Sequence, residues 1–409
     1  MINSGSTVYF KSGAKIIVHP NAKLIIDGGT MTRACDGYWQ GIELWGDKSK
    51  NQFPYPDGHY DQGYVRLTNN ATIEYAIEGI ITAKRIFPLD TDPDATGGII
   101  IAEDALFRNN LFAIEIYPYT NTHPGTAEEF PNLCSFSDCQ FTLDQDHPYV
   151  IHKYDHQILL QGVDGIPFYN CRMEIQNTVT DWKHIPEKFV SLDDCENIMI
   201  KSCDFTNEFS RLESPTNSRG TALYAFHSGV DVEPRCLEYD PSGGCNEWDP
   251  SYFSGFTYGI YAMSLPMIPL MINRAIFEDN ARGLYMSGGQ PAEIVLNHFL
   301  MDDGLAPTVD TIYGLYMDHC EGYHVEGNLF EGNLALDEIV AGAVIVDSDQ
   351  GDNEIYNNVF RHLDVGLEPQ GTNRTPDGGL CLKCNEFEDN FSDIYIFANG
   401  TSEGIAQDQ

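Results

Sequence analysis

The sequence predicts an all-β solenoid, a chain wound into coils of short strands, and three observations predict it. The first is a recurring phrase. Asn-x-Phe appears as Asn297-His298-Phe299, Asn328-Leu329-Phe330, Asn358-Val359-Phe360 and Asn385-Glu386-Phe387, in steps of 31, 30 and 27 residues. Upstream the third residue stays apolar while the first changes: Cys139-Gln140-Phe141, Cys171-Arg172-Met173 and Cys203-Asp204-Phe205 are each 32 residues apart. A recurrence of ~20–50 residues marks a fold in which no unit buries its apolar face alone and each stacks on its neighbours. The second observation is period-2 alternation over three to five residues, as in Asn385-Glu386-Phe387 and Ile394-Tyr395-Ile396. The third is that polar turn residues break every such run, as in Phe107-Arg108-Asn109-Asn110 before Ile114-Glu115-Ile116 and Phe277-Glu278-Asp279-Asn280 before Leu284-Tyr285-Met286. That is strand-turn-strand, not helix.

If each unit is one coil, equivalent residues sit ~4.8 Å apart along the axis, the spacing of paired strands. Phe141, Phe205, Phe277, Phe330, Phe360 and Phe387 are then expected in an internal apolar column. Asn328, Asn358 and Asn385 are expected to form a buried ladder in which each amide donates to the next. Cys139, Cys171 and Cys203 supply small residues at that same inward position, as unbonded thiols. This combination resembles the right-handed parallel β-helix repeat of the pectate-lyase-like superfamily, from about Gly5 to Ile396. The resemblance implies a single right-handed parallel β-helix over 1–409 with loop insertions. It implies no one activity, because lyases, hydrolases, epimerases, tailspikes and non-catalytic surface proteins share the fold.

The opening residues alternate between Gly and Pro-Asn turns, from Gly5 through Gly13, Pro20 and Gly28, and run into Tyr38-Trp39-Gln40-Gly41-Ile42-Glu43-Leu44. They resemble the first coils of β-helix regions in large secreted proteins of the Bacteroidetes type, and Cys381 to Gln409 resembles a coil of the same group. With no capping element after that coil, an uncapped end exposes strand edges. The expectation is therefore a piece of a larger extracellular assembly, with homo-oligomer contact through that end.

Composition narrows the function classes. Lys and Arg number 23 against 61 Asp and Glu, a formal net charge of −38. Nucleic-acid binding, which draws on cationic contacts to phosphate, is excluded, and anionic membrane surfaces are disfavoured. No apolar run approaches the ~20 residues of a membrane span. Met1-Ile2-Asn3-Ser4-Gly5 does not begin a signal peptide. The expected location is nonetheless extracellular or cell surface, with the targeting segment removed or outside this sequence. Acidic surfaces of this kind suit water rich in salt or calcium, and equally serve simple solubility.

Function in a solenoid lives on loops that leave the coil. Four segments break the period: 51–64, 120–131, 144–156 and a stretch within 206–262, where Phe205 and Phe277 are 72 residues apart. Cys236 and Cys245 bracket Pro241-Ser242-Gly243-Gly244 there, a spacing suited to a disulfide. Trp248, Tyr252, Tyr258, Tyr60 and Tyr64, beside carboxylates and amides, are candidates for holding glycan, one ring face stacking and one edge hydrogen-bonding. The alternative is that these rings only pack the loops onto the coil.

The chemistry-bearing candidates are sparse. Leu192-Asp193-Asp194-Cys195 resembles the Asp-Asp-Cys phrase of polygalacturonase-type hydrolases. The Gly-His-Gly and Arg-x-Lys that those enzymes use further on are missing, so Asp193 and Asp194 are weak catalytic candidates. A uronate lyase needs a Lys or Arg base, and Lys201, Arg274 and Arg282 are isolated. His152 and His156, near Asp144, Asp146, His147 and Asp155, have the residue types of a transition-metal loop. Cys381 and Cys384 lack the second pair a zinc knuckle requires. Calcium has better candidates: Asp90, Asp92 and Asp94 alternate before Gly97-Gly98, and Asp347, Asp349 and Asp352 cluster around Gly351. Ile101 replaces the Glu that an EF-hand places twelfth. The functional expectation is an extracellular structural or adhesive segment of a bacterial surface protein, binding glycan or other protein subunits through its loops and long face. The alternative is a polysaccharide lyase or glycoside hydrolase.

Overall fold

The computed structural model describes the chain except for 88–89, 149, 151, 210–218, 264–267, 289–290, 302–310, 335–338, 349–350, 376–377, 398–403 and 406–409. The chain divides into two units, 1–199 and 200–409. Each is built of coils that visit three short strands per turn. In the first unit Tyr64–Thr68, Ala71–Glu74 and Ala76–Ile81 make one coil, and Ile99–Glu103, Ala105–Arg108 and Phe112–Ile116 make the next. They pair in parallel, Arg66 with Ile101, Ile73 with Phe107 and Ile80 with Ile114. In the second unit Ala292–Val295, His298–Met301 and Thr311–Asp318 pair in the same way with Tyr323–Glu326, Leu329–Gly332 and Ile339–Val346. The right-handed parallel β-helix expected from the repeat is the fold observed.

The bends follow from the turn residues. Asp104, Asn109, Asp279, Asn357 and Asp389 have φ between 53° and 54°. Asn and Asp reach this left-handed region more readily than other residues with a Cβ. Between two such bends the strand is too short for anything but inward-outward alternation, and Phe sits at its centre.

In the first unit Phe107 stacks on Phe141 at 4.9 Å, and Met173 follows in register. In the second, Phe205, Phe253, Phe277, Phe299, Phe330, Phe360 and Phe387 stack in order, with centroids 4.7–5.2 Å apart. All are buried except Phe387, which is half-exposed. Phe253 corrects the reading of 206–262. The 72-residue step hides a further coil, containing Tyr252–Ser254 and Tyr258–Met263. Within the described residues the insertion is the antiparallel hairpin Arg235–Tyr239 with Cys245–Asp249, across which Cys236 and Cys245 are joined as a disulfide with Cα atoms 5.7 Å apart.

The asparagine ladder runs through Asn297, Asn328, Asn358 and Asn385. Each side-chain amide donates to the Oδ1 of the next at 2.9, 2.9 and 3.1 Å. Each Oδ1 also accepts the main-chain N–H of the preceding rung at 2.8–3.0 Å, so the polar groups at this buried bend are satisfied. Cys139, Cys171 and Cys203 occupy the same inward position and are buried. A second column is glycine. A Cβ on Gly283 would lie 2.5 Å from the Gly314 carbonyl oxygen and 2.8 Å from the Phe299 ring, and Gly314 and Gly342 are as crowded. Only glycine lets the phenylalanine column close against the neighbouring sheet.

One loop reading changes. His156 begins the strand His156–Gln161 and is buried, so it is not a loop residue. Cys384 adopts φ 54° in the bend before Asn385, which separates it from the strand that carries Cys381.

Candidate functional site

A regular surface feature lies on the outer face of one sheet of the second unit. Along Thr221–Phe226, Tyr258–Met263, Arg282–Ser287 and Thr311–Asp318, Leu223, Ile260, Leu284 and Leu315 point inward. The next residue of each strand points out: Tyr224, Tyr261, Tyr285 and Tyr316. These four rings stack in sequence at 5.5, 4.6 and 5.1 Å. All four are half-buried.

Rings stacked face to face cover one another's faces, so the ladder offers the outside a row of ring edges and phenolic hydroxyls, one per coil. Burial raises the pKa of Tyr261 and Tyr316 and pushes Tyr285 up to about 12, so these hydroxyls stay protonated donors at neutral pH. A second row flanks the first. Tyr258 stands edge-on to Tyr261 and Tyr285, Arg282 hydrogen-bonds the Tyr258 hydroxyl, and the guanidinium lies 5.4 Å from the buried ring of Tyr313. Apolar Val344, Val346 and Val365 extend the patch beside Tyr313. Ser287, Asp318 and His319 form its polar rim, with Ser287 and His319 at 3.4 and 2.6 Å from the Asp318 carboxylate.

Of the five aromatic residues proposed from sequence, Tyr258 belongs to this face. Trp248, 41% exposed on the hairpin, holds Arg274 4.7 Å from its ring. Tyr252 donates its hydroxyl to Glu278, and burial, with that carboxylate adding, pushes its pKa up to about 12. Tyr60 and Tyr64 stack at 4.9 Å with Lys23 over both rings, in the first unit. The ladder itself was missed, although a phrase announced it: Gly259-Ile260-Tyr261, Gly283-Leu284-Tyr285 and Gly314-Leu315-Tyr316.

Asp193 accepts from the Gln161 amide at 2.9 Å at the end of Lys188–Asp193. Asp194 follows in a left-handed bend, φ 52°, and lines a polar groove of about 360 Å³ with Glu129, Asp164, Glu196, Tyr119 and Phe130. Asp164 is engaged by the Asn197 amide at 2.6 Å.

The acidic turns are occupied differently from the calcium reading. Asp92 pairs with Lys84 at 3.3 Å and Asp94 with Lys48 at 2.5 Å, while Asp90 is exposed in the hairpin Lys84–Phe87 with Asp90–Asp92. Asp347 accepts the Thr372 N–H at 2.7 Å, Asp352 is exposed, and Asp349 lies outside the described residues. Among the described residues no three His, Cys, Asp or Glu side chains converge as a metal set. Asp144 and Asp146 hold Arg108 at 2.7 and 3.2 Å instead of joining His152, which is exposed.

One charged cluster of the first unit escaped the sequence reading. Arg85 reaches from its hairpin to Glu78 and Glu115 at 2.5 and 2.7 Å, and His156 meets Glu115 at 3.3 Å and Asp155 at 3.1 Å. Burial works against the charge on Arg85, but Glu115 and Glu78 outweigh it and hold its pKa above the ordinary value. Burial likewise opposes the charge on His156, and Asp155 and Glu115 reverse the balance, raising its pKa.

Comparison with known proteins bears on the fold these residues decorate. A family described as periplasmic copper-binding protein (NosD) matches residues 175–374. The chain is a right-handed parallel β-helix repeat protein. No curated protein matches the sequence. Among solved structures, PfbA, a surface adhesin of Streptococcus pneumoniae, is similar at 11% identity over 99% of this chain and 89% of its own, with a TM-score of 0.40. Tailspike protein 3 of bacteriophage CBA120 is similar at 14% identity over 84% of this chain, with a TM-score of 0.36, and the match spans 57% of the tailspike. A family 28 exopolygalacturonase of Yersinia enterocolitica is similar at 9% identity over 98% of this chain and 73% of its own, with a TM-score of 0.29.

Proposed function

We propose that this β-helix is a structural or adhesive protein outside the cytoplasm that holds a glycan along the outer tyrosine ladder. The observation that carries the reading is the ladder itself: Tyr224, Tyr261, Tyr285 and Tyr316 present equivalent hydroxyls one coil apart. A polymer whose own hydroxyls repeat along its length can meet such a comb at several points, and apolar ring edges and valines receive its C–H faces. With 61 acidic against 23 basic side chains, a neutral glycan is favoured over a polyanion. The Cys236–Cys245 bridge supports an oxidising compartment, and the matching family is described as periplasmic. Association with another protein subunit or a second copy belongs to the same reading, and would bury Phe391, which is 87% exposed.

Affinity electrophoresis against a panel of neutral and acidic polysaccharides tests the proposal. At least one neutral polymer is expected to retard the protein. Each lost hydrogen bond costs ~0.5–1.5 kcal/mol, so Tyr261→Ala with Tyr285→Ala should weaken the retardation about fivefold or more. No retardation by any polymer would overturn it. The second reading, a hydrolase or lyase, is favoured by one observation, the groove that Asp194 shares with Glu129, Asp164 and Glu196. Release of reducing ends that disappears in Asp194→Asn would put it first.

Calcium stays in the proposal on the strength of charge. A cation that binds only the folded chain stabilises it by mass action. Millimolar calcium is expected to raise the Tm relative to chelator, and the rise should shrink in Asp92→Asn. An unchanged Tm would remove calcium from the account.

A further inference from the structure

His147 and His184, in the first unit, lie side by side. His147 closes the turn after Gln140–Leu143, its main-chain N–H on the Asp144 carbonyl at 3.0 Å, and is 3% exposed. Its ring stacks on Tyr154 at 5.8 Å and lies 5.2 Å from the ring of His184, which ends the 3-10 turn Trp182–His184. Tyr154 ties that turn down by donating its hydroxyl to the His184 carbonyl at 3.2 Å.

The hydrogen bonds choose a tautomer. His147 Nε2 is 3.2 Å from the Tyr38 hydroxyl, which also reaches the Pro148 carbonyl at 3.4 Å. The carbonyl can only accept, so Tyr38 donates to it and accepts from His147 Nε2–H, and Nδ1 keeps a bare lone pair. His147 Nδ1 and His184 Nε2 are both buried and without a hydrogen-bond partner. Two orphaned nitrogens on neighbouring imidazoles are costly unless something fills the space between them. Burial, with the neighbouring His184 adding to it, brings His147 down to about 3, and burial also lowers His184. The Asn110 carbonyl offsets part of the first effect without meeting Nδ1 in hydrogen-bond geometry. Both rings are therefore neutral at pH 7, the form in which imidazole is a ligand.

We propose that His147 Nδ1 and His184 Nε2 are the protein ligands of a site for a zinc-type divalent ion. Imidazole nitrogen suits this class of ion at ~2.0–2.1 Å. Two rings sharing one ion at that distance have centroids at most about 6 Å apart, so 5.2 Å fits a bent bridge. Tyr38 and Pro148 supply the outer hydrogen bonds that fix the tautomer of a ligating histidine. Among the described residues no third His, Cys, Asp or Glu completes the set, so water fills the remaining positions and the site is open. His184 is half-buried, and the ion reaches the pair from its side.

The test titrates the full chain with Zn²⁺ by calorimetry and with Co²⁺ by visible absorption. One ion per chain is expected, with affinity at least tenfold weaker in His147→Ala and in His184→Ala and unchanged in His152→Ala, whose histidine is exposed. If His147→Ala does not fold, His184→Ala decides alone. No binding at millimolar Zn²⁺, binding unchanged in His184→Ala, or binding lost equally in His152→Ala would each overturn the proposal.

Discussion

Phe299→Ala is expected to destabilise the second unit by about 3–5 kcal/mol in urea unfolding, the range for emptying a buried aromatic site. Phe299 is fully buried and stacks at 4.7 Å on both Phe277 and Phe330. Its ring also fills the space that Gly283 leaves free. Stability in a stacked fold is carried largely by nearest-neighbour contacts, so one missing ring weakens two coil-to-coil interfaces. Phe387→Ala is the internal comparison. It is half-exposed and has one stacked neighbour among the described residues, Phe360 at 5.2 Å, so its loss should be clearly smaller. Equal losses at the two positions would contradict the column as the source of stability.

Arg85→Met is expected to cost a comparable ~3–5 kcal/mol, because it leaves Glu78 without its cation and Glu115 with His156 alone. The side chains of Glu78 and Glu115 are 16% and 5% exposed. Burial raises the pKa of Glu78 even with Arg85 in place to oppose it, and removing Arg85 raises it further. A carboxyl whose folded pKa lies above its unfolded value destabilises the fold at higher pH and ceases to do so once both states are protonated. The deficit of Arg85→Met should therefore shrink as pH falls through the carboxylate range, and Glu78→Gln in the same chain should recover part of it at neutral pH. A pH-independent loss would mean that Arg85 acts through packing of its stem.

The coil was legible because its signal is local and repeated. Asn297, Asn328, Asn358 and Asn385 recur with Phe two residues on, and the ladder and column follow from equivalent position. Phe253 escaped because Ser251 stands where the phrase has Asn or Cys, and because the hairpin Arg235–Asp249 stretches the period just before it. The tyrosine ladder was half-legible. Tyr258 was singled out as a loop aromatic, whereas Tyr261, Tyr285 and Tyr316 share one position in successive strands. Trp248, Tyr252, Tyr60 and Tyr64 have the same chemistry but separate partners, and composition alone could not tell them apart from the ladder. The Arg85 cluster was invisible for a different reason. Alternation points Glu115 outward, and only the return of a hairpin that begins three residues past Ala76–Ile81 buries it. Periodicity predicts which way a side chain points, not what folds over it.

Ligand protection of tyrosines tests the central claim most directly. The protein is treated with a tyrosine-nitrating reagent, free and bound to the polysaccharide that retards it, and modified residues are located by mass spectrometry. The account predicts that bound glycan protects Tyr224, Tyr261, Tyr285 and Tyr316 together, while Tyr9 and Tyr395, 67% and 50% exposed, react as before. Retained binding with the ladder tyrosines unprotected, or with protection confined to Tyr119 beside the Asp194 groove, would contradict it.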